Sequence, residues 1–382
     1  MKNKKIGILI THGTDTMAWT LSYLKYAIKN LTYNIAITGS QLPMSDEFPF
    51  SDAYKNIRTS LFFLNRIKTP TIFSVFNNGR YAYSDSLQKV RKWKMNAYEG
   101  DMLIEYEWDD IKHITDKIKI REGKIEPNNL DNLYLVTTGG TIDSQKNDDG
   151  LLTPRSNKVH SFITEKYMEE LFNSFRSISV FSIDSTDMTL EKMELMVEKL
   201  AEKINDDIGE ELIKYDDKFS KNVEIIYLDP LKTNKDFEKQ IDNETRGIVI
   251  AGYGGSNVPH KMNDLIKKWN NQGKIVVVSS QAPVGISDTV YENGAKPLKH
   301  GAISGVDFSL VECQMRLSYI LGHWDQIKKL NNPVKKVKKI FLSSAKFRNK
   351  ASRKRHKQLT SIDVVKQDLI SNIFFEETLK LV

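Results

Sequence analysis

Two short segments of this chain place hydroxyls and a carboxylate where a ligand can meet them. Thr11-His12-Gly13-Thr14-Asp15-Thr16-Met17 follows the apolar run Ile6-Gly7-Ile8-Leu9-Ile10, and Thr138-Gly139-Gly140-Thr141-Ile142 follows Leu133-Tyr134-Leu135-Val136. In each, an apolar strand breaks into small, glycine-rich, hydroxyl-bearing residues. In an open α/β sheet that break is the carboxyl edge of a strand, where ligands bind. Thr14, Thr141 and Asp15 would bring two nucleophiles and a fixed charge to one edge. A threonine hydroxyl is too weak an acid to attack unaided, so it needs a base nearby. Each residue also has a plainer use. Thr14, Thr16 and Thr141 can cap helices, Asp15 can serve as a cap carboxylate, and His12 reads as structural.

The elements that must position these residues alternate between strand and helix signals. A strand over 5–10 precedes a helical pattern from Met17 to Lys29, with Trp19, Leu21, Leu24 and Ile28 on related faces. A strand over 34–37 runs into Thr38-Gly39-Ser40-Gln41, a helix covers 53–66, and a third strand covers 71–75. Beyond a charged stretch near 103–129, the Leu133 strand leads to a helix over 163–172, a strand over 178–183 and a helix over 190–204. Thr189 begins that last helix as a partial cap, because Lys192 stands where a capping box wants a carboxylate. Residues 205–221, rich in Asp, Glu and Lys, read as a linker. Strands at 223–227, 247–251 and 274–279, with a helix near 261–270, form a second unit. Repeated strand–helix units predict parallel sheets with right-handed crossovers. The expected fold class is α/β: a larger amino-terminal domain with a parallel, flavodoxin-like sheet and a smaller carboxyl-terminal parallel α/β domain. The expected boundaries are 1–204, linker 205–221, 222–332, and a basic tail with a terminal helix over 333–382.

Composition narrows the class further. At 382 residues, with 40% hydrophobic content, the chain has material for two or three domains with large cores. A single cysteine, Cys313, excludes an internal disulfide framework and any Cys-rich metal site. No run of about 18 apolar residues is present, so no membrane span is expected and a cytoplasmic location fits. The net charge of +7 is uneven. From Lys335 to Lys357 lie Lys336, Lys338, Lys339, Lys346, Arg348, Lys350, Arg353, Lys354 and Arg355, without one acidic residue. Such a block is read first as a solvated tail, and it is the only feature that would take nucleic acid.

Taken together, the two opening segments resemble the active-site signatures of the L-asparaginase/glutaminase family. Further segments extend the likeness over most of residues 5–325. Thr38-Gly39-Ser40-Gln41 with Ser51-Asp52-Ala53 and Asn56 resembles its post-strand loop and helix, and Asp184-Ser185-Thr186-Asp187-Met188 its substrate-binding segment. Ala251-Gly252-Tyr253-Gly254-Gly255-Ser256-Asn257 and Ser279-Ser280-Gln281-Ala282-Pro283-Val284-Gly285 resemble landmarks of its smaller domain. Gly301-Ala302-Ile303-Ser304-Gly305-Val306-Asp307 is similar to the cytosolic branch. The order differs: in that family the Gly-Gly-Thr-Ile element comes first, whereas here it follows. A circular permutation would explain this, with residues 1–105 and 131–204 exchanged.

The resemblance implies an amidohydrolase that converts L-asparagine, or L-glutamine, through an acyl-threonine, with no metal or organic cofactor. It implies Thr141 and Thr14 as catalytic threonines, Asp15 beside Thr14, and Lys89 as the lysine of the second set. Taken alone, Lys89 reads as surface charge among Arg91, Lys92 and Lys94. Asp15 and Ser185 would hold the substrate ammonium and carboxylate, with Thr186 adjacent. The Gly139-Gly140 and His12-Gly13 turns would supply oxyanion donors. Asn257 and Glu292 would reach a neighbouring protomer's site, which makes the active form a homodimer or homotetramer. One departure concerns the lid after Gly-Gly-Thr-Ile. Ser144 to Ser161 contains no tyrosine, and Leu152 stands near the expected place. Two alternatives stay open: an ammonia-supplying amidase component of a tRNA-dependent amidotransferase, and a non-catalytic amino-acid-binding relative.

Overall fold

The computed structural model describes residues 5–343 apart from 30, 46, 68–69, 78–79, 83–86, 91–96, 100–129, 155–156, 169–170 and 283–290. The expected terminal helix over 361–379 therefore lies outside the described residues. The chain divides into two compact units. One comprises Met1–Ser84 with Lys89–Asp216, and the other Asp217–Val382 with the short piece Asp85–Gln88.

The first unit is built on strands β1 (Ile6–Thr11), β3 (Asn34–Thr38), β4 (Ile72–Phe76), β5 (Arg80–Ala82), β8 (Leu130–Gly139) and β11 (Phe172–Ile183), in the spatial order β11-β8-β1-β3-β4-β5. The two-residue β2 (Ile28–Lys29) lies outside this sheet. All pairings in the sheet are parallel except β4 with β5, so the expected parallel sheet carries an antiparallel edge. Every residue of β1 is buried. This is what continuous apolar sequence means in a parallel strand covered on both faces. Each fully buried Ile or Leu contributes roughly 1.5–3 kcal/mol, so the centre of the sheet is its firmest part.

The connections leave the middle of the sheet in opposite directions. From β1 the chain passes through helix α1 (Met17–Ala27) to β3 on one side, and from β8 through the helix Lys158–Tyr167 to β11 on the other. Counted from β8, the order of the parallel strands is 2-1-3-4-5, the flavodoxin-like arrangement. In such sheets ligands bind at the carboxyl ends of the two strands where the winding reverses, here β8 and β1. Both threonine-bearing segments sit at that point.

Several expectations shift in detail. The helix expected over 163–172 occupies Lys158–Tyr167, because β11 begins as early as Phe172. The stretch 205–221 is not simply a linker. The helix from Leu190 runs to Ile208 and ends on Gly209 in the left-handed conformation, and β12 (Lys214–Tyr215) pairs with β2. Helix α2 (Asp52–Arg66) is capped by the Ser51 hydroxyl, which accepts from Ala53 N–H.

The second unit has a four-stranded parallel sheet, β13 (Val223–Tyr227), β14 (Gly247–Gly252), β15 (Ile275–Ser280) and β16 (Ile303–Ser304). Ile248, Ile250, Val276 and Val278 of the sheet pack with Met262, Ile266 and Trp269 of the helix Met262–Asn271. The first part of the expected basic tail is ordered. Pro333–Phe341 is a helix with Val337, Ile340 and Phe341 fully buried.

Candidate active site

Three turns converge at the carboxyl edge of the first unit's sheet, and glycine sets how closely they approach. After β1, Gly13 packs so tightly on Ser185 that a Cβ there would lie 2.5 Å from its Oγ. After β8, Gly140 has φ +81°, and a Cβ on it would lie 2.3 Å from the Gly13 Cα. Only glycine fits such a backbone-to-backbone approach in that conformation. The segments carrying Thr14 and Thr141 are thus in contact through the residues beside them. The third turn, Ser185–Asp187 after β11, is tied in by Gly140 N–H donating to Ile183 O at 2.9 Å.

Lys89 lies in β6 (Gln88–Lys89), which pairs with β7 (Tyr98–Glu99). Its ammonium donates to Thr14 Oγ1 at 2.7 Å and to Asp15 Oδ1 at 2.6 Å. Lys89 is therefore not simply surface charge; its side chain is only 20% exposed, against 51% for Asp15. Asp15 N–H donates to Ser185 Oγ at 3.1 Å, and the Thr16 hydroxyl donates to Ser185 O at 2.7 Å. Thr16 does not cap α1, which has no side-chain cap. Thr141 opens a single 3-10 turn, Thr141–Asp143. Among the described residues its hydroxyl has no hydrogen-bond partner, unlike that of Thr14. The structure thus brings together Thr14, Asp15, Lys89 and Ser185 by direct contact, with Thr141 on the adjoining turn.

Other expected site residues stand differently. Thr186 is exposed, and both its N–H and its hydroxyl are held by Asp184 Oδ1, at 2.8 and 2.9 Å, inside its own turn. Of the expected oxyanion donors, His12 N–H is already used by Thr38 O at 2.8 Å and Gly140 N–H by Ile183 O. Strand and turn geometry takes both, so neither remains for a ligand. Within the second unit, Asn257 pairs its backbone with Tyr253, and its Oδ1 is buried without a hydrogen-bond partner among the described residues. Glu292 opens the helix Glu292–Lys299 and is exposed; its salt bridge with Lys296, at 2.7 Å, holds its carboxyl below the usual range.

His12 is structural, as read. Burial pushes its imidazole down to about 4, so it is neutral at physiological pH. Its Nδ1–H donates to Gly13 O at 2.7 Å, and Nε2 accepts from the Thr20 hydroxyl at 2.9 Å. Asp52 is buried and braces the loop after β3, accepting from the N–H groups of Gln41 and Leu42 and from Asn56.

Sequence reasoning missed two residues beside the threonines. Asp143 is buried and accepts a hydrogen bond from the Thr11 hydroxyl at 3.0 Å, while Thr138 Oγ1 donates to Thr11 O at 2.9 Å. These two bonds staple β8 to β1 just below the site. Tyr98 donates its hydroxyl to the Thr14 carbonyl. Neither carries a local signal, since each acts on a residue far away in sequence. Beyond Thr141, β9 (Ser144–Lys146) and β10 (Leu152–Pro154) form a hairpin whose Lys146 pairs with Glu47 at 2.7 Å. Leu152 lies exposed on it.

The first unit is thus a doubly wound α/β sheet with a threonine–lysine–aspartate set at its switch point. Comparison narrows this. Residues 1–118 and 132–210 match the family model "Asparaginase, N-terminal", and residues 222–332 match "Glutaminase/Asparaginase C-terminal domain". The chain belongs to the asparaginase family. It is similar to a glutamyl-tRNA(Gln) amidotransferase subunit of Thermococcus kodakarensis, 26% identical over 328 residues, covering 85% of this chain and 56% of that protein. It is equally similar to the L-asparaginase of the same organism, 26% identical over 320 residues, covering 83% of this chain and 70% of that one. The chain thus spans little more than half the length of the amidotransferase protein. In structure it resembles the thermostable L-asparaginase from Thermococcus kodakarensis, with TM-score 0.51 and 22% identity, covering 88% of this chain and 73% of that one.

Proposed function

We propose that this protein hydrolyses L-asparagine to L-aspartate and ammonia through an acyl-threonine intermediate. The observation that carries the reading is the Lys89 ammonium within 2.7 Å of Thr14 Oγ1 and 2.6 Å of Asp15 Oδ1, on a turn that touches the one bearing Thr141. In this reading the Thr141 hydroxyl attacks the side-chain carbonyl carbon and the tetrahedral adduct expels ammonia. Water then cleaves the ester. Protons leave and return through Thr14 and Lys89. As it stands Lys89 donates to Thr14, so it acts as a base only once it has given up a proton, while Asp15 stays a carboxylate. Ser185 fixes the Asp15 main chain, and Asp15 Oδ2 and Ser185 take the substrate ammonium and carboxylate. Thr186 flanks them. Asn257 and Glu292 act across a homo-oligomeric contact, a role supported by Asn257 Oδ1, which has no partner among the described residues, and by the exposed Glu292. The permuted order is part of the same proposal, supported by the 2-1-3-4-5 strand order counted from β8.

A second reading, an ammonia-supplying component of a tRNA-dependent amidotransferase, is supported by the likeness to the Thermococcus kodakarensis amidotransferase protein. Ammonia release by the purified protein offered L-asparagine and L-glutamine separates the two. Fast release from L-asparagine without tRNA or partner is the expected result. Release that appears only from L-glutamine in the presence of glutamyl-tRNA would favour the second reading, and a folded protein inert toward both would overturn hydrolysis.

A further inference from the structure

The β6–β7 hairpin reaches Thr14 twice. From one strand, Lys89 donates to the Thr14 hydroxyl at 2.7 Å. From the other, Tyr98 donates its hydroxyl to the Thr14 main-chain carbonyl. The strands are joined beside these residues by Val90 N–H donating to Ala97 O at 2.8 Å. Both ends of one residue, side chain and main chain, are thus held by a single hairpin.

The hairpin is itself anchored to the sheet. Asn77, just past β4, donates through Nδ2 to Tyr98 O at 2.5 Å and accepts from Tyr98 N–H at 3.0 Å. This reciprocal pair resembles a strand ladder made by a side chain. Asn77 makes it from a left-handed backbone, φ +51°, a conformation that asparagine tolerates better than most residues. Phe76 packs edge-on against the Tyr98 ring at 4.7 Å. Tyr98 is 1% exposed, so its hydroxyl is shut off from water. A buried tyrosine hydroxyl needs an acceptor, and this one uses the carbonyl of Thr14.

We propose that Tyr98 is a positioning residue for Thr14, locking its main chain so that the Thr14 hydroxyl stays within hydrogen-bond reach of Lys89. The proposal rests on the amidohydrolase reading for its kinetic consequence, and on geometry alone for its structural one. Tyr98 touches neither of the functional groups assigned to the substrate, so its effect falls on the rate of the chemical step rather than on binding. Asn77 acts one step further back by fixing the strand that carries Tyr98. Burial, with the nearby Asp15 charge, raises the Tyr98 hydroxyl well above its ordinary value, which keeps it a donor throughout the working pH range.

The test is Tyr98→Phe, which keeps the ring and removes only the donor, together with Asn77→Gly, which suits the left-handed backbone and removes the clamp. For both, kcat and KM toward L-asparagine, the pH profile of kcat/KM and the melting temperature are measured. The expected result for Tyr98→Phe is a kcat lower by about tenfold with KM within about twofold, and a pH profile whose limbs move as the Lys89–Thr14 contact loosens. Asn77→Gly gives a similar loss, and the double variant loses less than the product of the two. Unchanged kcat, or a loss recovered in full below the melting transition, overturns the proposal. Crystal structures of the wild type and Tyr98→Phe decide it even if the wild type proves inert toward amides, an outcome that would sink only the functional reading. The Lys89 Nζ–Thr14 Oγ1 separation is expected to open beyond hydrogen-bond reach in the variant, and an unchanged separation overturns the clamp.

Discussion

Asp143 illustrates how one buried carboxyl links the site to pH. Burial lifts it to about 7, although the Thr11 hydrogen bond pulls the other way. An unfolded aspartate titrates near 3.9, so between roughly pH 4 and 7 the folded chain keeps a proton that the unfolded chain has lost. The folded pKa is the raised one, so the contribution of Asp143 to stability is complete below about pH 4. It is lost as the pH climbs through 7. Asp143→Asn keeps an acceptor for Thr11 and removes the titration. It should match the wild type near pH 4 and melt roughly 4 °C or more higher near pH 8; an equal difference at both pH values would refute the assignment. His12 acts with the opposite sign. Its lowered pKa makes stability fall as the pH drops from about 6.5 toward 4. At this scale the sequence singled out Thr14, Asp15 and Thr141 by a local signal, glycine and hydroxyl residues after an apolar run, and Ser185 by resemblance alone. It was silent on Asp143 and Tyr98, whose partners lie 132 and 84 residues away.

Among the elements, the strands were the more legible, since continuous apolar runs leave few other assignments. Helix ends were less so. Ile28 and Lys29 read as helix by spacing, yet they form β2 because β12 offers them an antiparallel partner. That long-range pairing overrides local periodicity. The turns carry the more exacting requirement. Gly140 combines φ +81° with backbone 2.3 Å from where a Cβ would sit, so no side chain can move aside to relieve the clash. Gly140→Ala should lower kcat/KM toward L-asparagine by at least about a hundredfold, through displacement of Thr14 from Thr141, and should lower the melting temperature as well. Gly150→Ala is the control. It shares a positive φ of +75° but has nothing within 4 Å, so its cost is confined to local strain in the hairpin. Equal effects of the two substitutions on turnover would show that the Gly13–Gly140 contact does not set the site.

For the whole molecule, spatial order matters more than chain order. The first unit's sheet places β8 and β1 side by side, although 118 residues separate the end of one, Thr11, from the start of the other, Leu130. A doubly wound sheet needs its switch point, and that geometry is the same whichever strand the chain enters first. On the proposed permutation, a chain reordered so that 130–209 precedes 1–99, with 210–382 last so that β12 is kept, and short linkers between, should fold and keep turnover within about tenfold of the native order. A folded but inactive product would count against it. The most direct test of the account compares ammonia release from L-asparagine by the wild type, Thr14→Ala, Thr141→Ala and the control Thr164→Ala, a half-buried threonine whose hydroxyl donates to His160 O within its own helix. Both site substitutions should cut turnover at least about a thousandfold with little change in melting temperature, while Thr164→Ala stays near wild type. Turnover by either site variant within a few-fold of the wild type would contradict the assignment of the two threonines.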